Sequence, residues 1–316
     1  IRACELLLTY YHPKTQDLDY MRFRGYERVA GFTYGAITEA IRSYRNRNIS
    51  GKAKIDMSPY DVWNRIVKDE SVKIVEDINP IQNLKEKEII TYTVSGGRSK
   101  ETMVMGMRAF HASDIGTISE ANIDSGDAGI NSYMAPNPEL SSLRGLTVKD
   151  DKRATKDILS HGTSSVLSTS GLLAPMAYKD DGKRASFISV QQSHTISAKG
   201  YHAPQFRTGY EYVIGSRTDA MFCHNAKRDG KVKEITKNGV IVEYKDGTTE
   251  GFALGIVYGK AEGSIYPHKV KTDLREGQSF KEGDNVVYNE GFFEKDTLDP
   301  NSVLMKNSMT VKVALL

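Results

Sequence analysis

Short strand-like runs in the last third of the chain are separated by glycines at nearly regular intervals, and this spacing restricts the fold more than any other feature. The glycines are Gly230, Gly239, Gly247 and Gly255. The run Val240–Tyr244 is rich in β-branched residues, and Asp246-Gly247, shortly after it, is typical of a two-residue hairpin turn. Short strands joined by tight turns are typical of a small barrel or sandwich. We therefore expect strands to dominate this part of the chain.

The first quarter of the chain has a different pattern, in which apolar side chains recur at the spacing of a helix. The recurring residues are Tyr34, Ile37, Ile41 and Tyr44. Ser58 and Pro59 then form a typical helix start, with the serine as cap and the proline in the first turn. We expect the helix that follows to bury Val62, Ile66 and Trp63, the single tryptophan.

Between these two regions the sequence predicts loops. A Ser-Gly-Gly tip offers backbone conformations that are closed to other residues, and two cations follow it at once. A second polar run contains a further arginine and a histidine. The candidate contact residues are Gly96, Gly97, Arg98, Lys100, Arg108 and His111. Cations on a flexible tip favour contact with an anionic partner; the alternatives are an ordinary solvated turn and a structural histidine.

Composition limits the classes of function. The chain has 316 residues, 39% of them hydrophobic, which predicts about two domains with real cores. The net charge is only +3, so any contact with nucleic acid must come from local clusters rather than from a globally cationic surface. The clusters contain Arg22, Arg24, Arg28, Arg42, Arg45, Arg47, Lys227, Arg228, Lys231 and Lys233.

Cysteine content and hydropathy exclude other classes. Cys4 and Cys223 are the only cysteines, and no His or Cys pairs stand at the spacing of a metal site. We therefore expect neither a structural zinc nor a disulfide framework. The sequence has no apolar run long enough to span a membrane and no basic-then-apolar signal at its start, which predicts a cytosolic chain.

The order of the motifs points to a family. The run from Asn79 to Asn131 resembles the fork region of the beta subunit of multisubunit, DNA-directed RNA polymerases, which typically reads NPLSEL, then GPGGLTRERAG, then ETPEGPNIGLI. Later segments resemble the same family in the same order. These are Ser170 to Met176, Asp180 to Ala185, Val190 to Ile196, Arg207 to Glu211, Lys227 to Val232, Tyr258 to Lys260, Glu282 to Asp284 and Asn307 to Leu316. Each motif is weak alone, but their collinear order over about three quarters of the chain is specific.

Together these patterns predict an α+β fold in three parts: a mostly helical, lobe-like region over 1–78, a fork-loop region over 79–165 and a strand-rich region over 166–316. The resemblance implies that the last part holds an incomplete double-psi beta barrel, which a partner chain completes. An open sheet edge with apolar faces would otherwise aggregate. The resemblance also implies the N-terminal piece of a split beta subunit, as in giant tailed bacteriophages.

The resemblance implies supporting roles for the candidate residues. Lys260 stands where the family has an arginine that contacts the phosphates of the incoming nucleotide, and a lysine keeps that charge without the bidentate fork. Contacts with DNA or RNA are expected from Gly96, Gly97, Arg98, Lys100, Arg108, His111, Arg184, Gln191 and Gln192. The family's Mg²⁺ ions are held by the other large subunit, so no metal site is expected in this chain.

The expected partners follow from the same resemblance. They are the C-terminal piece of the beta subunit, beta-prime-like subunit pieces, template DNA, nascent RNA, nucleoside triphosphates and a promoter-specificity factor, with no membrane. The chain would act in the cytoplasm of the infected host cell or in the virion. The alternative is a stand-alone nucleic-acid-binding or structural β module, which the strand pattern and the basic clusters would also fit.

Overall fold

A computed structural model describes residues 25–48, 51, 54–69, 72–93, 99–110, 114–123, 126–138, 165–261, 263–309 and 311–315. Within these ranges helices come first and strands dominate the C-terminal part, so the fold is mixed helix and sheet, as an α+β class requires. The boundaries at 78 and 165 stay predictions, because the helices and strands by themselves do not divide the chain into domains.

Two helices form an N-terminal pair. Helix α1 spans Gly25–Arg47 and helix α2 spans Pro59–Val67. The predicted start of α2 is confirmed, since the Ser58 side chain accepts a hydrogen bond from the backbone and Asp61 completes a capping box. The expectation for Trp63 is wrong: its side chain is 60% exposed, and no residue of α2 is fully buried. Amphipathic spacing predicted the helix correctly, but no described part of the chain covers the face of α2 that carries Trp63.

The described part of the fork region contains little regular structure. Helix α3, Pro80–Glu88, leads directly into strand β1, Ile89–Thr91, which pairs antiparallel with strand β2, Asn131–Tyr133. The short helix α4, Met105–Arg108, lies in the loop between these two strands. The strand pair therefore closes the base of a long loop.

Between residues 165 and 222, all of which the structure describes, three further α-helices precede the strand-rich part. Helix α5 spans Thr169–Leu173, helix α6 spans Gly182–Ser193 and helix α7 spans Tyr210–Val213. The side chain of Asp181 accepts a hydrogen bond from Lys183 N, 3.2 Å away, and so caps the start of α6. This cap explains the Asp-Asp pair at 180–181 as a turn and helix start.

The strands of the C-terminal part are β3 Cys223–Asn225, β4 Gly230–Thr236, β5 Gly239–Tyr244, β6 Thr249–Ala253, β7 Gly255–Ala261, β8 Ser264–Lys271, β9 Ser279–Phe280, β10 Asn285–Asn289, β11 Phe293–Lys295 and β12 Val303–Met305. They form two four-stranded antiparallel sheets and a two-stranded one, separate from the β1–β2 pair. One sheet has the order β3-β10-β8-β7, the second has the order β6-β5-β4-β9, and β11 pairs with β12.

The predicted hairpin joins β5 to β6. Gly247 has a φ of +82° and donates its N–H to the carbonyl of Tyr244, 2.9 Å away. A side chain at this position would be strained, so the sequence located the hairpin correctly. Its loop is longer than the predicted two-residue turn: Tyr244 N donates to the carbonyl of Thr248, and Asp246 does not share the positive φ of Gly247.

Two hydrophobic cores hold the strand-rich part together. One joins α3 and α5 to the strands through Ile81, Leu173, Phe222 and Phe293, and the other lies between the two large sheets around Val240 and its neighbours. In the part of the chain that the structure describes, neither large sheet closes into a barrel. The double-psi barrel therefore stays a proposal.

Candidate nucleic-acid interface

Asn79 joins the beginning of the fork region to the end of helix α6. Its side chain is fully buried, and its Nδ2 lies 2.8 Å from the carbonyl oxygens of both Ser193 and Thr195 and 3.4 Å from that of Gln192. Its Oδ1 accepts a hydrogen bond from Gln82 N at 2.7 Å and so caps α3. The Asn79 amide therefore accepts a hydrogen bond from the backbone at the start of α3 and donates hydrogen bonds to carbonyls at the end of α6.

Helix α6 carries three of the predicted contact residues. Arg184 lies near its start and Gln191 near its end, and both side chains are exposed. Gln192 is half-buried, and its Oε1 is buried without a hydrogen-bond partner among the described residues. Because Asn79 holds the end of this helix, the two glutamines have a fixed backbone.

Lys260 lies on strand β7, and Asp77 holds its backbone. Asp77 N donates to the carbonyl of Lys260 at 2.9 Å, and Lys260 N donates to Asp77 Oδ2 at 3.2 Å. The neighbouring Gly259 must be a glycine, since a Cβ there would lie 2.6 Å from the Cβ of Asp77. The Lys260 side chain is exposed and has no ion-pair partner within the described ranges.

His268 fixes the other side of Asp77. Its Nε2 lies 2.6 Å from the carbonyl oxygen of Asp77, and its ring packs edge-on against Phe222 with centroids 5.2 Å apart. Burial lowers the pKa of His268, which favours a neutral ring that donates its Nε2–H to this carbonyl. Residues 77 to 79 therefore connect Lys260 on β7 to the glutamine end of α6.

Arg108 orders the fork loop from inside. Its Nε donates to the carbonyl of Met103 at 3.0 Å, its Nη1 to that of Gly126 at 2.7 Å and its Nη2 to that of Lys100 at 3.3 Å. Gly129, with a φ of +76°, passes so close that a Cβ there would lie 2.3 Å from the Arg108 carbonyl oxygen. The guanidinium thus holds the two sides of the loop together.

A cavity of about 500 Å³ separates this loop from the start of α6. Arg108 and Asn122 line it from the loop, and Lys183 and Ser186 line it from the helix. Beside it, the Glu120 carboxylate accepts hydrogen bonds from Ser168 N at 2.5 Å and Ser168 Oγ at 2.7 Å.

The predicted residues therefore fall into three connected groups. Lys100 and Arg108 share the fork loop, where Lys100 forms an ion pair with Asp127; Arg184, Gln191 and Gln192 share α6; and Lys260 lies on β7. The remaining four, Gly96, Gly97, Arg98 and His111, lie outside the described residues. The DNA- and RNA-contact roles of nine of these residues, and the nucleotide-phosphate contact of Lys260, stay predictions.

The basic cluster at the start of the strand region is largely paired with carboxylates. Lys227 lies 3.3 Å from Glu250, Lys231 lies 3.5 Å from Glu243, and Arg228 forms an ion pair with Asp246. All three cations are well exposed, so these pairs contribute little stability. They do lower the local excess of positive charge, which favours a solvated surface over a phosphate track.

Sequence reasoning missed two residues that position this site. Asn79 could have been identified, because Asn followed by Pro is a typical helix cap and first turn. Asp77 has no such signal, since its partner Lys260 is 183 positions away along the chain. Contacts at that separation depend on the tertiary fold.

Neither a metal cluster nor a membrane-spanning helix is found in the part of the chain that the structure describes. No three His, Cys, Asp or Glu side chains converge there in a way that could hold a metal ion. None of the described helices combines the length and apolarity needed to cross a bilayer.

Comparison with known proteins gives two independent matches. Residues 1–100 match the family model described as bacteriophage RNA polymerase. The beta subunits of DNA-directed RNA polymerase from Caldicellulosiruptor saccharolyticus and Caldicellulosiruptor bescii are each 26% identical over 131 residues, which is 42% of this chain and 10% of each relative. The chain thus matches about a tenth of the length of these relatives, and both findings relate it to RNA polymerases.

Proposed function

We propose that this chain is a beta-like subunit of a bacteriophage DNA-directed RNA polymerase and forms part of the wall of its active-centre cleft. One observation carries the proposal. The Asp77–Asn79 segment at the start of the fork region holds both the glutamine end of α6 and Lys260 on β7. These three segments are far apart in sequence, and each belongs to the collinear series that resembles the beta subunit.

The proposal extends to the assembly. The chain is the N-terminal piece of a split beta subunit, and its partners are the C-terminal beta piece and beta-prime-like chains. The matches to bacteriophage polymerase at one end and to bacterial beta subunits over part of the chain support this division. The assembly binds template DNA, nascent RNA and nucleoside triphosphates, with a promoter-specificity factor, in the infected cell or the virion.

The chemistry proposed for this chain is positioning and charge stabilisation. Phosphoryl transfer depends mainly on electrostatic stabilisation by bound Mg²⁺ and cationic side chains. The resemblance to beta subunits assigns the Mg²⁺ ions to the partner large subunit. Lys260 is exposed, has no ion-pair partner in the described residues and has its backbone held by Asp77, so we assign it the contact with a nucleotide phosphate.

A stand-alone nucleic-acid-binding module is less well supported. Such a module would use the basic cluster of the strand region, and the exposed ion pairs of Lys227, Arg228 and Lys231 already occupy those cations. A module that binds phosphates by itself would also have no need for the hydrogen bonds by which Asn79 joins the start of α3 to the end of α6.

The test is RNA synthesis on a primed DNA–RNA scaffold with Mg²⁺, comparing the chain alone with the chain plus the remaining large-subunit chains of the same genome. We expect activity only in the full mixture. Lys260→Ala should lower the rate about tenfold or more, because a charge-assisted phosphate contact is lost. The matched control is Lys233→Ala, an exposed strand lysine with no ion-pair partner in the described residues, which should stay within about twofold.

Two results would contradict the proposal. A full mixture that makes no RNA, together with a lone chain that binds nucleic acid, would favour the stand-alone module. Equal loss of activity in Lys260→Ala and Lys233→Ala would remove the specific role of Lys260.

A further inference from the structure

Strand β7 is an edge strand of its sheet. Among the described strands only β8 pairs with it, in the order β3-β10-β8-β7. The register places Ile256 opposite Lys269, Tyr258 opposite Pro267 and Lys260 opposite Ile265. An edge strand presents a row of backbone donors and acceptors that the sheet itself does not use.

Three observations show which residues of β7 have backbone N–H and C=O groups directed away from β8. The carbonyl of Lys260 accepts from Asp77 N, outside the sheet. The carbonyl of Lys269 accepts from Glu290 N, on the side away from β7, and Pro267 has no N–H to give to β7. Because pairing in an antiparallel ladder alternates, Ile256 and Tyr258 have the same orientation as Lys260. Their backbone groups therefore face outward.

The side chains next to this edge are apolar and exposed. Ile256 and Tyr258 are each 63% exposed, and Ile265 on β8 is 66% exposed. Partners opposite each other in an antiparallel pair share one face, so these residues and Pro267 form one surface, which we call the β7 edge surface. The other face of the same hairpin is buried, with His268 and Val270 inside the protein.

The contact at Lys260, at one end of this edge, indicates what kind of partner would pair with the outward backbone groups of Tyr258 and Ile256. Asp77 supplies a backbone N–H and a carboxylate oxygen to the outward groups of Lys260, so a chain segment already occupies that position. Beyond it, Tyr258 and Ile256 have no such segment among the described residues. A ligand that satisfies both N–H and C=O groups in alternation is an extended polypeptide, since a nucleic acid offers no matching row of donors and acceptors.

We infer that the β7 edge surface binds an extended segment of a partner polymerase polypeptide, which adds a strand beside Ile256 and Tyr258. This inference rests on the proposed function and specifies one of its contacts. The curated beta subunits contain about ten times the length that matches this chain, so polymerase polypeptide outside the match is available to supply the strand. The incoming segment has apolar side chains at alternate positions, which cover Ile256, Tyr258 and Ile265.

The first test is amide hydrogen exchange at residue resolution in the assembled, RNA-synthesising complex. The N–H groups of Val257 and Gly259 pair with β8 and serve as the internal reference. We expect the N–H groups of Ile256 and Tyr258 to exchange about as slowly as this reference in the assembly, and at least about 100-fold faster in the free chain. Fast exchange at Ile256 and Tyr258 in an active assembly would overturn the inference while leaving the proposed function intact.

The second test is the double variant Ile256→Lys, Tyr258→Lys, which places charges at the edge without removing a hydrogen bond to β8. We expect its affinity for the partner chains to fall about tenfold or more, through loss of apolar burial. The control is Ile241→Lys, an exposed isoleucine on β5, whose backbone is paired on both sides by β4 and β6. It should stay within about twofold.

The remaining outcomes separate the two proposals. Unchanged partner affinity in the double variant, with RNA synthesis intact, would reject the β7 edge surface alone. Loss of scaffold DNA binding with normal partner affinity would mean that nucleic acid, rather than a strand, covers this surface. If a complete wild-type mixture makes no RNA and the chain stays free, the proposed function and this inference both fail.

Discussion

The strand region and the helical pair both carry many apolar side chains, but they place them in opposite environments. In the strand region, Phe222, Val240 and Val286 are completely buried, with 0% exposure. In the described part of α1 and α2, Ala36 is the only buried apolar residue, and Tyr34 and Trp63 are mostly exposed. Because hydrophobic stabilisation scales with the apolar area removed from water, the strands must supply most of the stability of the isolated chain.

The buried strand region and the exposed helical pair also differ in what they contribute to the candidate site. Helix α6 packs against α3 and α5, which carry residues of the first core, and Val257 of β7 packs against the second core. The Asp77–Asn79 segment is hydrogen-bonded to both β7 and the end of α6. The helical pair is joined internally by packing and by an ion pair between Arg65 and Glu39. Substitutions in the two regions should therefore have very different effects, and four predictions test this difference.

Phe222→Ala should have the largest effect. The ring is completely buried and packs edge-on against His268 and Phe292, so its removal leaves a cavity between β3 and its neighbours. We expect the free energy of unfolding to fall by about 3–5 kcal/mol in urea titration. A loss below about 1 kcal/mol would mean that this core does not dominate the stability of the chain.

Asn79→Ala should have the next largest effect. The substitution leaves carbonyls at the end of α6 without their donor and removes the cap of α3, at a cost of about 2–4 kcal/mol. Asn79→Asp is the informative comparison, because it keeps the cap acceptor and loses the donor. If the aspartate variant is as stable as the wild type, the hydrogen bonds from Asn79 to the carbonyls at the end of α6 do not contribute to stability.

Glu88 should make stability depend on pH. Burial raises its pKa to about 7, and Arg217, 3.3 Å away, only partly offsets this effect. A folded-state pKa above the ordinary value of 4.5 means that stability is fully present below about pH 4.5 and is lost as pH rises to about 7. The loss should be at most about 3 kcal/mol.

The measurement is the free energy of unfolding from pH 4.5 to pH 8 for the wild type and for Glu88→Gln. The difference between the two proteins isolates Glu88 from other carboxylates, including Glu120, whose pKa is also raised by burial. The glutamine variant should lose this part of the pH dependence and gain relative stability above pH 7. Parallel curves for the two proteins would show that Glu88 titrates normally.

The sequence predicted local features well and long-range ones poorly. The hairpin at Gly247 and the capped start of α2 at Ser58 depend on residues within one turn, and both are confirmed. Trp63 was misplaced because helical periodicity identifies an apolar face without saying whether anything covers it. In the candidate site, the order of motifs singled out Gln191, Gln192 and Lys260, but it did not predict that the two glutamines lie on a helix, because this segment was assigned to a strand-rich region. The contact through Asp77 spans 183 positions and has no local signature.

Trp63→Ala should have the smallest effect and is the strictest test of the contrast with Phe222. Both changes remove a large aromatic ring, but the Trp63 ring is 60% exposed on a helix without a fully buried residue. We expect the free energy of unfolding of the isolated chain to change by less than about 1 kcal/mol. Helix propensity partly offsets the lost contacts, because alanine favours a helix more than tryptophan does. A loss comparable to that of Phe222→Ala would require Trp63 to be covered within the isolated chain, and the two regions would then be stabilised in the same way.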